Sequence, residues 1–163
     1  IPKIIFFDID DTLSRNGIIA EHNKATLEQL ADTDIKLVIS TGRSKAILPE
    51  DILALLDADI LDAIICMNGQ YSFDKSGRIS HYPLTAEQTD KIVRLCQQSD
   101  LIHKFDSATH IAWSGENERL REFNAVTPNS ILDPTKQIPS INARASLIIS
   151  KKRCKTSILP SMI

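Results

Sequence analysis

Cysteine, glycine and long apolar runs are all scarce in this chain, and each scarcity removes a class of protein. The three cysteines, Cys66, Cys96 and Cys154, form an odd set with no Cys-x-x-Cys pair, which indicates neither a disulfide framework nor a zinc knuckle. A reducing compartment is expected. No apolar run approaches the ~18 residues of a membrane span, and Ile1-Pro2-Lys3 does not begin a signal-peptide layout, so the expectation is a cytoplasmic protein with no membrane partner. Five glycines and seven prolines in 163 residues rule out a collagenous or low-complexity chain. An excess of one charge is missing as well. A formal net charge of -2 and a pI of about 6.1 give no electrostatic reason to expect nucleic acid, which leaves small-molecule chemistry as the default. What is present is 42% hydrophobic and 25% charged residues, enough for a buried core in one domain, or in one domain and a partly built second.

The order of elements points to an α/β protein. Lys3 to Phe7 is a short β-branched and aromatic run, the pattern of a strand buried on both faces of a parallel sheet. Leu27, Leu30 and Ala31 recur at helical spacing within Glu21 to Asp32, and Ile35 to Ile39 then reads as a second strand ending in the polar turn Ser40-Thr41-Gly42-Arg43. Pro49 suits the first turn of a helix carrying Ile52, Leu53, Leu55 and Leu56, and Ala63 to Met67 is a third strand broken by Asn68-Gly69. Strand and helix in alternation argue for a parallel sheet. After residue 69 the rhythm changes, and the order of the sheet is expected to be interrupted there. Tyr71–Phe73 and Arg78–His81 flank a turn-rich insert and predict a β-hairpin. Thr85-Ala86-Glu87-Gln88 has capping-box spacing before a helix with Ile92, Val93, Leu95 and Cys96 on its apolar face. A strand at His110–Trp113, a charged helix at Glu116–Asn124, a proline-punctuated loop and a final apolar run Ala145–Ile149 complete an α+β layer. The expected domains are therefore 1–82 and 83–163.

Asp8, Asp10 and Asp11 stand directly after the first strand, at the carboxyl end where ligand crevices of open parallel sheets lie. Alternation along an extended chain sends Asp8 and Asp10 to one side and Asp11 elsewhere. Two converging carboxylates repel unless a cation intervenes, which implies a hard divalent ion, magnesium, held by Asp8 and Asp10. The second turn faces the same crevice, and the Thr41 hydroxyl, the Gly42 N–H and the Arg43 cation are groups that hold phosphoryl oxygens. The bland alternative is a solvated loop with a capping Asp. It leaves unexplained why acids crowd one strand end while a polar turn ends the next.

These two segments carry a resemblance. Phe7-Asp8-Ile9-Asp10-Asp11-Thr12-Leu13 resembles the first motif, Asp-x-Asp-x-Thr, of the haloacid dehalogenase (HAD) superfamily, and Val38-Ile39-Ser40-Thr41-Gly42-Arg43 resembles its second. The Thr-Gly-Arg form, followed by Asn68-Gly69 and a hairpin, is similar to the Cof-like branch of sugar-phosphate phosphatases. The resemblance covers about residues 3 to 113. It implies a Rossmann-like parallel-sheet core, here incomplete, with an inserted α+β cap. It also implies hydrolysis of small phosphorylated metabolites, with Asp8 as nucleophile forming an aspartyl-phosphate and Asp10 as acid, then base, which needs surroundings that hold a proton on Asp10. Magnesium would sit on the Asp8 carboxylate and the Asp10 backbone carbonyl, and Thr41, Gly42, Arg43 and Asn68 would bind the phosphoryl group.

The pattern also breaks. The family's later Lys and its Gly-Asp-x-x-x-Asp segment have no recognisable counterpart, and no acid occurs from Ser150 onward. Lys151, Lys152 or Lys155 could replace the Lys, although a basic run near a terminus is usually solvated. The chain thus resembles an amino-terminal portion. The alternatives are a truncated, catalytically impaired homologue acting as a binding or oligomerising module, with a homo-oligomer as its partner form, and a sugar phosphomutase. A signalling receiver would need an Asp ending the third strand, where Met67-Asn68-Gly69 stands.

Overall fold

The computed structural model describes residues 2–15, 18–115, 121, 130–131 and 144–151. In chain order they form β1 (Ile4–Phe7), β2 (Ser14–Arg15), β3 (Ile18–Ile19), α1 (Glu21–Ala31), β4 (Lys36–Ser40), α2 (Glu50–Asp57), β5 (Ala63–Cys66), β6 (Tyr71–Asp74) and β7 (Gly77–His81). After these come α3 (Ala86–Gln98), β8 (Leu101–Asp106), β9 (Ile111–Trp113), β10 (Ser130–Ile131) and β11 (Arg144–Lys151). The chain divides into two compact units, Ile1–Pro83 and Leu84–Ile163.

The first unit is built on a five-stranded sheet of order β1-β4-β5-β6-β7, in which β1, β4 and β5 are parallel. This is the α/β class expected from the alternating pattern. β4 buries Leu37, Val38 and Ile39 in succession, as a strand with neighbours on both sides should. Leu27 of α1 and Ile52, Leu55 and Leu56 of α2 close the core with Ile64, Cys66 and Phe73. Burial pushes the Cys66 thiol up to about 12, so it is an inert core group. Pro49 stands at the N-cap of α2, just before the first turn it was expected to occupy.

Three expectations are corrected here. β1 is not buried on both faces: Ile4 and Phe6, on one face, are 46% and 56% exposed, while Ile5 and Phe7 on the other pack against the core. The hairpin after residue 69 does not interrupt the sheet. It extends it, with β6 antiparallel to β5 through Ile64↔Phe73 and Cys66↔Tyr71. Its turn is held by the Asp74 carboxylate, which accepts from the Ser76 and Gly77 N–H groups at 2.8 and 3.0 Å. Finally, Leu95 is 54% exposed on α3, where Cys96 is the buried member of the expected apolar face.

In the second unit the capping box forms as the spacing predicts. Thr85 Oγ1 accepts from the Gln88 N–H at 3.2 Å, and Gln88 Oε1 accepts from the Thr85 N–H at 2.9 Å. A four-stranded sheet has the order β10-β9-β8-β11. Its long central strand β8 escapes pattern reading because His103, Lys104 and Asp106 break the apolar run, yet all three are buried. Lys104 Nζ lies 2.9 Å from Asp106 Oδ1 and over the Trp113 ring, so the two charges offset one another inside the unit. The helix expected at 116–124 lies, but for Arg121, outside the described residues, as do Cys154 and most of the basic tail.

Ile9 is fully buried between two exposed acids, Asp8 and Asp10, and it pins the first turn to the core. Replacing it by Ala is expected to cost about 2–5 kcal/mol, read as a lowered urea midpoint with an unchanged denaturant slope.

Candidate active site

β1 and β4 run in parallel with Phe7 opposite Ile39, so the chain leaves the sheet at Asp8 on one strand and after Ser40 on the next. After Phe7 the backbone turns tightly. Leu13 and Ser14 donate to the Ile9 carbonyl at 3.1 and 2.8 Å, Asp11 N–H donates to the Ser14 carbonyl at 2.9 Å, and Asp11 takes a left-handed φ of 57°. Asp8 and Asp10 both remain exposed although β1 has ended, because burial of Ile9 orients the turn.

The second turn is tied to the end of β5. Thr41 N–H donates to the Ile65 carbonyl at 2.9 Å, Met67 N–H to the Arg43 carbonyl at 2.9 Å, and Asn68 N–H to the Thr41 carbonyl at 3.1 Å. Thr41 is buried, and its Oγ1 accepts from the Arg43 N–H at 3.1 Å, which leaves its own O–H as a donor. Gly42 is exposed, and a Cβ there would come within 3.3 Å of Asn68 Oδ1. The Asn68 side chain therefore lies against the Gly42 backbone, and glycine permits that approach. Met67, Asn68 and Gly69 all have positive φ, at 53°, 52° and 94°. Asn-Gly favours such a turn, whereas Met67 is forced into it by the bond to Arg43.

The two turns meet in one interaction. Arg43 Nε and Nη2 donate to Asp10 Oδ2 and Oδ1 at 2.9 and 2.7 Å, a bidentate pair, while Nη1 donates to the Ile47 carbonyl at 3.1 Å. The sequence leads one to expect Arg43 on a phosphoryl group; in the structure its guanidinium is on Asp10. It supplies the cation that the clustered carboxylates require. Its hydrogen bonds and charge hold the Asp10 carboxyl below the usual carboxylate range, which corrects the expectation of surroundings that keep a proton there. Among the described residues no three His, Cys, Asp or Glu side chains group as a metal site.

A model of the haloacid dehalogenase-like hydrolases matches residues 5–158. The chain belongs to that family. Among solved structures, the HAD chain resembles a HAD subclass IIB sugar phosphatase at 26% identity, with a TM-score of 0.68 over 80% of this chain and 52% of that one. A haloacid dehalogenase-like hydrolase from Bacteroides thetaiotaomicron is 18% identical with a TM-score of 0.69, covering 91% of this chain and 56% of the other. A HAD-superfamily phosphatase from the same organism is 20% identical, with a TM-score of 0.66 over 81% and 49%. The chain spans about half the length of these structures. No curated protein matches it by sequence. The Cof-like resemblance read from Thr41-Gly42-Arg43 agrees with the subclass IIB match, and the α/β core agrees with the shared fold.

Asp10 titrates lower in the folded HAD chain than when unfolded, so its pair with Arg43 contributes fully above the ordinary carboxylate range. That contribution is lost as pH falls through the depressed value. Asp10→Asn is therefore expected to lower the melting temperature near pH 7 by a small amount, under ~1 kcal/mol for a pair this exposed. As pH falls through that depressed value the wild-type and variant melts should converge.

Proposed function

We propose that the chain carries the phosphoryl-transfer half of a phosphatase acting on small phosphorylated metabolites, with sugar phosphates as the substrate class. The observation that carries this reading is the adjacency of three turns, with Asp8 and Asp10 after β1, Thr41, Gly42 and Arg43 after β4, and Asn68 after β5. In the proposed reaction a carboxylate oxygen of Asp8 attacks phosphorus as the bond to the leaving oxygen breaks, and Asp10, which takes up a proton from solvent once its carboxylate leaves the Arg43 guanidinium, passes that proton to the leaving oxygen. Water then attacks the aspartyl-phosphate, Asp10 takes its proton, and Asp8 and inorganic phosphate are released. The Thr41 O–H, the Gly42 N–H, the Asn68 amide and the Arg43 guanidinium hold the phosphoryl oxygens meanwhile.

The residues fit magnesium as a partial protein set. Asp8 is exposed, and the turn's N–H groups bond to the Ile9 and Ser14 carbonyls, which keeps these bonds off the Asp10 carbonyl. One carboxylate and one carbonyl suit an ion that keeps several waters and takes phosphate oxygens as further ligands. When bound there it supplies positive charge opposite the phosphoryl oxygens.

A second reading, a binding or self-associating module, is favoured by the exposed Ile4 and Phe6 on β1, an edge strand among the described residues. Release of inorganic phosphate from p-nitrophenyl phosphate and a sugar-phosphate panel separates the two. Magnesium-dependent turnover, cut on the order of a hundredfold or more by Asp8→Asn, is expected of the phosphatase. A folded wild-type chain no faster than Asp8→Asn would favour the module.

A further inference from the structure

Asp10 and an incoming phosphoryl group require the same guanidinium. Carboxylate and phosphate oxygens both fit the planar Arg fork, and here the two Asp10 oxygens occupy it at 2.9 and 2.7 Å. The two partners are not equally free to move. Arg43 is held from several sides, by Nη1 on the Ile47 carbonyl, its backbone N–H on Thr41 Oγ1 and its carbonyl under the Met67 N–H. The Asp10 side chain is 53% exposed, and the turn that carries it is closed by backbone bonds that do not use the carboxylate. The Arg43 side chain is 26% exposed, so an anion from solvent can reach it. An ion pair this open to water is weak enough to be exchanged.

We propose that Arg43 is an exchange site, clasping Asp10 in this structure and passing to the oxygens of a phosphomonoester or of inorganic phosphate as they enter. Anion binding thereby unclasps the Asp10 carboxylate and leaves it free to turn toward the bound group. No covalent step is involved. The proposal rests on the phosphatase reading for its substrate class, but it makes a claim about anion affinity that does not need turnover.

The test is calorimetric titration of the full chain with inorganic phosphate, in EDTA, at pH 7 and constant ionic strength. If Asp10 competes for the fork, Asp10→Asn tightens phosphate binding by about fivefold, the scale of a weak bidentate pair. Asp11→Asn removes the same charge one residue along, from an exposed position outside the pair, and is expected to change affinity by less than twofold. Arg43→Lys, which keeps the charge and loses the fork, should weaken binding and erase the gain from Asp10→Asn when the two are combined. Circular dichroism on each variant confirms that it is folded. Equal effects of Asp10→Asn and Asp11→Asn would overturn the exchange, as would a gain that survives Arg43→Lys or no phosphate binding by any variant. The two readings also fail separately. The expected binding pattern in a chain without turnover keeps the exchange and contradicts the reaction. Wild-type turnover with phosphate affinity indifferent to Asp10 does the reverse.

Discussion

The parallel pairing of β1 with β4 is the constraint on which the rest of the site depends. Parallel neighbours end at the same edge, so whatever follows Phe7 and Ile39 is brought together without further instruction. Here acids follow one strand and a hydroxyl, a glycine and a guanidinium follow the other. Crowding carboxylates at one edge has an electrostatic cost, and the Arg43 fork offsets it with two short charge-assisted bonds to Asp10. The same clasp sets the electrostatics of the site, because it favours ionised Asp10.

What holds the edge in shape lies beneath it. Ile9 is buried between the acids, Thr41 is buried under the second turn, and Met67 is buried with a left-handed backbone. Three hydrogen bonds between the β4 and β5 turns hold Asn68 in a left-handed conformation it tolerates and Met67 in one it does not prefer. In that arrangement the Asn68 side chain lies against the Gly42 backbone. The strain is local, and the core of α1, α2, β4 and β5 supports it.

Much of this was legible in the sequence. The order of β1, α1, β4, α2 and β5 followed from apolar runs alternating with helical spacing, and the capping box fixed the start of α3. Legibility ended where tertiary contacts decide. Lys3 to Phe7 reads as a doubly buried strand because composition reports apolarity and not which faces are covered, while Ile4 and Phe6 lie open on one face. β8 stayed hidden because Lys104 and Asp106 offset each other in the interior, which a pattern scan scores as polar. The turn after Phe7 and the turn after Ser40 were each visible, but the clasp between Asp10 and Arg43 was not. It joins residues on different strands, and its signal was only that two neighbouring parallel strands end in opposite charges.

In the proposed reaction the covalent role falls to Asp8, on the turn that Ile9 anchors and beside the cation that neutralises Asp10. Acid-quenched mixing of the chain with p-nitrophenyl phosphate and magnesium, followed by peptide mass spectrometry, tests that assignment most directly. The expected result is a transient phosphoryl adduct on the peptide containing Asp8, absent in Asp8→Asn. An adduct mapped to another residue, or turnover with no adduct at any quench time, would contradict it.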